Sequence, residues 1–81
     1  MKRSFKVNEL LVDAEAAGHS IEEHGYYFDI RGPKRTSPGI ALYVSETGAF
    51  HEAHRNDVNL ELALGIRSLG AVRKVLHLEA K

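Results

Sequence analysis

The stretch YYFDIRGPKRTSPGIALYVSETGAFHEAHR, residues 26–55, decides the fold. It opens with Tyr26, Phe28 and Ile30 alternating with Tyr27, Asp29 and Arg31, the period-two pattern of a strand with two unlike faces. GPKRTSPG, residues 32–39, packs two prolines and two glycines into eight positions and admits only a loop. IALYVS, residues 40–45, is predicted to be a buried strand. ETG then turns the chain into a further strand, AFHEAHR. Strict alternation there puts Phe50, Glu52 and His54 on one face and His51, Ala53 and Arg55 on the other. Strands joined by connections this short pair antiparallel.

Working outward, HSIEEHG predicts a short strand near Ser20–Glu23 and a two-residue turn at His24-Gly25, since glycine tolerates positive φ. Upstream, Val7, Leu10, Leu11, Ala14 and Ala17 recur at helical spacing and predict a helix over residues 6–17. Ser4 or Asn8 suits its start and Gly18 its left-handed end, with Glu9, Asp13 and Glu15 on the exposed side. Downstream, residues 58–66 carry two signals. Val58, Leu60, Leu62, Leu64 and Ile66 alternate as in a strand, while the Leu/Glu/Ala composition favours helix. A final helix capped by Ser68 gathers Leu69, Ala71, Val72, Val75, Leu76 and Leu78 into one stripe, leaving Arg73, Lys74 and His77 facing water.

The expected architecture is α+β, as one domain over residues 1–81. An N-terminal helix is followed by an antiparallel meander of three to four strands and a C-terminal helix packed on one sheet face. This element order resembles that of double-stranded-RNA-binding domains and of the small toxins of HicA-type toxin–antitoxin pairs. The likeness stops at element order. Ser68-Leu69-Gly70-Ala71 stands where the RNA-binding domain has a basic cluster. The toxin's glycine-serine-histidine signature is also absent, His24-Gly25 being the nearest match.

Composition excludes several chemistries. The chain has no cysteine, which removes disulfides, thiolate metal sites and thiol nucleophiles together. Its N-terminus lacks the apolar run of a signal peptide, and no stretch approaches the roughly 18–20 apolar residues that span a bilayer. A cytoplasmic protein with no membrane contact is the expectation. Formal net charge is zero, which argues against nucleic-acid binding by bulk electrostatics. The charge is unevenly spread. Residues 1–30 carry three basic and six acidic residues, so residues 31–81 hold the other eight basic and five acidic ones.

HEAH, residues 51–54, resembles a zinc-protease motif with one residue missing. A helix needs four positions to bring two imidazoles onto one face, and on a strand an odd separation sends them to opposite sides. No metal site and no cofactor is expected. His24, His51 and His54 with Arg35 or Arg55 supply the residue types of a histidine-dependent ribonuclease, but no spacing forces them together. RGPKRTSPG lacks the order of a phosphate loop. It does place Arg31, Lys34 and Arg35 without an intervening acid, and beside Tyr26, Tyr27 and Tyr43 such a loop would grip a phosphate backbone while rings stack on bases. Arg55, Arg67, Arg73 and Lys74 extend that basic surface if the fold brings them to one side.

The favoured expectation is a non-enzymatic module that binds a protein partner as adaptor, regulator or stoichiometric inhibitor. Anti-defence inhibitors among bacterial and phage accessory proteins are examples of that class. The expected binding residues are Tyr27, Arg31, Lys34, Arg35, Tyr43, His51 and Arg55, and an unpaired sheet edge would also suit a homodimer. Nucleic-acid binding through the Arg31–Arg35 loop is the alternative, and a ribonuclease-like toxin the third.

Overall fold

The computed structural model describes residues 2–34, 37, 39–56 and 65–78. Helix α1 (Phe5–Ala16) leads into four strands, β1 (Ser20–His24), β2 (Tyr27–Arg31), β3 (Gly39–Val44) and β4 (Phe50–Arg55), and helix α2 (Leu69–Val75) follows. The strands form one antiparallel sheet in the order β1-β2-β3-β4. This is the expected α+β architecture, with the meander at its four-strand limit.

Both helices begin and end as their sequences dictate. The Ser4 hydroxyl accepts from the Val7 N–H, and the Ser68 hydroxyl accepts from the Ala71 N–H. At the end of α1, His19 N–H donates to the Ala14 carbonyl and Gly18 N–H to that of Glu15, while Gly18 takes a φ of 98°. That is the left-handed cap for which glycine is suited. Helix α2 closes with the same pair of bonds, Leu78 to Arg73 and His77 to Lys74. Here the left-handed position, φ 58°, falls on His77 instead of a glycine.

One sheet face meets the helices. Val7, Leu10, Leu11 and Ala14 of α1 and Val72 and Leu76 of α2 join Phe28, Ile30, Ile40, Leu42, Val44 and Ala53 in a single core. Arg73 departs from expectation. Instead of facing water it turns back to α1, its Nη1 2.8 Å from Asp13 Oδ2 and its Nη2 3.4 Å from Glu9 Oε1. At 12% side-chain exposure, this guanidinium ties the two helices together across the edge of the core.

Two registers also differ from the sequence reading. His24 pairs with Tyr27, so the two-residue turn is Gly25-Tyr26, one position later than expected. Tyr26 therefore leaves the Phe28–Ile30 face and stands 68% exposed in the turn. In β4, Val44 pairs with Phe50 while Tyr43 pairs with Glu52, leaving His51 as the extra residue of a bulge. Strict alternation breaks there. Phe50 packs against the core, whereas Glu52 and His54 belong to the opposite face.

The assignment of residues 58–66 lies outside the described residues apart from its end, Gly65 and Ile66. Ile66 exchanges both backbone hydrogen bonds with Ala53, covering that part of the β4 edge. Among the described residues, no helix is long and apolar enough to cross a membrane.

Candidate functional site

Register assembles the sheet's second face row by row. His24, Tyr27, Tyr43 and Glu52 lie side by side across β1 to β4. The next row is Glu22, Asp29, Ala41 and His54, and the third is Ser20, Arg31 and Gly39. These rows place a band of rings at the end of the sheet that carries the β1–β2 turn. His24 stacks on Tyr27 with centroids 4.9 Å apart, and Tyr27 meets Tyr43 at 5.3 Å. Tyr43 also lies 6.1 Å from Tyr26 and 6.0 Å, edge-on, from His54. Five rings from four strands and a turn thus form one continuous aromatic surface. Stacked and edge-on contacts of this kind hold rings in fixed orientations.

Beside the band runs a groove lined by Lys2, Tyr43, Glu46, His51, Glu52 and His54 among others, with a volume of about 830 Å³. The β4 bulge is what brings His51 to the same groove as His54. Glu52 accepts a hydrogen bond from His54 at 2.8 Å, and Arg67 Nε stands 3.8 Å away. That hydrogen bond holds the Glu52 carboxyl below its ordinary value; partial desolvation opposes it, and the nearby charges of His54, Arg67 and His51 add to it. Lys2 is held there by the β3–β4 turn. Ser4 N–H donates to the Gly48 carbonyl, and Gly48 (φ 85°) lies so close to the Lys2–Arg3 backbone that a Cβ would stand 2.6 Å from it.

The other end of the face is polar and fixed. Asp29, only 8% exposed, accepts from Arg31 Nε at 3.0 Å and from Asn56 Nδ2 at 2.8 Å. Asn56 reaches Asp29 across the intervening strand because β3 offers only Ala41 and Gly39 at this end of the face. Sequence reading gave no hint of this bond, since it depends on which small residues fall between the two partners.

The expected binding residues divide accordingly. Tyr27, Tyr43 and His51 gather at the aromatic end, and Arg31 and Lys34 line a separate hollow with Pro33, Ser37 and Asn56. Tyr27 and Arg31 stand four positions apart on β2, about 13 Å of strand, so the basic loop does not adjoin the tyrosines. Arg35 lies outside the described residues. Arg55 pairs with Ile40 on the core-facing side of the sheet edge. Of the residues expected to extend a basic surface, Arg73 is engaged with Asp13 and Glu9, and Arg67 stands beside Glu52. Sequence reading missed His24 and Glu52 as neighbours of the tyrosines, and placing the turn at Gly25-Tyr26 would have revealed the first. Comparison with family models, curated proteins and solved structures finds no match to the chain.

Proposed function

We propose that the chain is a non-enzymatic module that binds a protein partner through the aromatic band, as an adaptor, regulator or stoichiometric inhibitor. The observation that carries this reading is the continuous contact of Tyr26, Tyr27, Tyr43, His24 and His54 on the sheet face away from the helices. Tyrosine delivers large contact area at low entropic cost, and its hydroxyl keeps such a face compatible with water until a partner arrives. Carboxylates stand among the rings. Glu22, Asp29 and Glu52 share the face, which suits a protein surface of mixed charge and repels a phosphate backbone. A chain without cysteine suits a reducing, cytoplasmic setting.

Binding assays with the paired substitution Tyr27→Ser and Tyr43→Ser test the reading. A partner complex is lost in this variant and kept in Arg31→Ala/Lys34→Ala, with both variants retaining the wild-type circular dichroism spectrum. Retention on heparin that disappears with Arg31→Ala/Lys34→Ala, at an affinity falling steeply with salt, would instead favour nucleic acid. A concentration-dependent mass lost with the tyrosine pair would identify the partner as a second copy of the chain.

A further inference from the structure

We propose that Glu22, His24 and Asp29 form a binding site for a divalent transition-metal ion of the zinc class. The site goes beyond the docking reading and does not depend on it. Its geometry comes from the β1–β2 ladder. Glu22 lies opposite Asp29, and His24, two positions along β1, projects from the same side. One ligand atom from each residue lies within 4.8 Å of the other two. His24 Nε2 is already 3.3 Å from Glu22 Oε1. Zinc sits about 2.0–2.2 Å from nitrogen and oxygen ligands, so donors around one ion stand roughly 3.5 Å apart. Small rotations of the exposed Glu22 side chain and the half-exposed His24 ring close the difference.

The donor chemistry selects the ion. One imidazole with two carboxylates matches zinc and its first-row neighbours, whereas calcium and magnesium favour oxygen donors alone. Outer contacts of the kind metal ligands use are in place around Asp29. Asn56 and Arg31 each hold one oxygen of Asp29, and Tyr27 backs the His24 ring. Three ligands from the chain leave a fourth position for water or for a donor from a bound molecule. The face also holds a rival donor pair, Glu52 and His54, with His51 in the same groove. Among the described residues, however, the group in which three donors converge is Glu22, His24 and Asp29.

Isothermal titration of the full chain with zinc chloride at neutral pH tests the site, with cobalt(II) absorption as a second readout. One ion per chain is expected. His24→Ala and Glu22→Gln, both on the exposed side of β1, lower the affinity at least about tenfold, since losing even an outer partner of a metal ligand costs about 10–100-fold. His54→Ala binds as wild type. Absence of zinc binding in the wild type, unchanged binding in His24→Ala, or loss confined to His54→Ala would each overturn the assignment.

Discussion

Tyr27 and Tyr43 face each other across β2 and β3 as a cross-strand pair, their ring centroids 5.3 Å apart. Neither ring is part of the core, which closes on the other side of the sheet around Phe28, Ile30 and Leu42. The pair instead anchors the aromatic band. Replacing both with serine leaves the core intact and is expected to change stability by at most about 1–2 kcal/mol, the sum of two cross-strand contributions. Urea denaturation checks this. Collapse of the fold would show that the band is structural.

Arg73 carries more of the fold than its place on a short helix suggests. Its contacts with Asp13 and Glu9 are partly shielded from water, so they exceed the value of an exposed ion pair. Arg73→Ala is expected to cost about 1–3 kcal/mol in denaturant titration. Arg73→Lys recovers only part of that, because one ammonium cannot span both carboxylates as the guanidinium fork does.

Two left-handed positions predict opposite outcomes. Gly48 has a φ of 85° and a Lys2–Arg3 backbone where a side chain would go. Gly48→Ala should therefore cost at least about 1–2 kcal/mol and loosen the N-terminal segment. His77 has a φ of 58° without being glycine. His77→Gly is expected to raise stability by about 0.5–1 kcal/mol by relieving that strain. Thermal melts of the two variants should move in opposite directions.

The Glu52–His54 bond sets an acid limit. A carboxyl held below its ordinary value of 4.5 in the folded chain contributes stability that is fully present above that value. The contribution is lost as pH falls through the lower folded-state value. Stability should therefore decline below about pH 4.5, and Glu52→Gln should flatten that part of the profile. An unchanged acid limb in Glu52→Gln would contradict the assigned bond.

Much of the fold was legible because periodicity and punctuation agreed. Val7, Leu10, Leu11 and Ala14 gave one helical stripe, Ser4 and Gly18 bounded it, and Gly32-Pro33 marked the end of β2. Ser68 marked the second helix correctly. The misreadings came from single-residue shifts that composition does not encode. His24-Gly25 and Gly25-Tyr26 are equally plausible turns until pairing chooses, and the choice decides whether Tyr26 faces the core. The bulge at His51 likewise has no local signature, yet it reverses the side on which Phe50 lies. Arg73 was misplaced because its partners are about 60 positions away on α1, beyond the reach of any local pattern. Tyr27 and Tyr43 were expected as binding residues, but their distance from the basic loop became visible only with the strand register.

Site-directed photo-crosslinking tests the central claim most directly. A photoreactive side chain is placed at position 43 in the aromatic band or at position 12 on the outer face of α1, where Val12 is 54% exposed. Crosslinking is carried out in the cells in which the chain is naturally made. The account predicts a discrete protein adduct from position 43, abolished by Tyr27→Ser, and none from position 12. An adduct from position 12 with none from position 43 would contradict it.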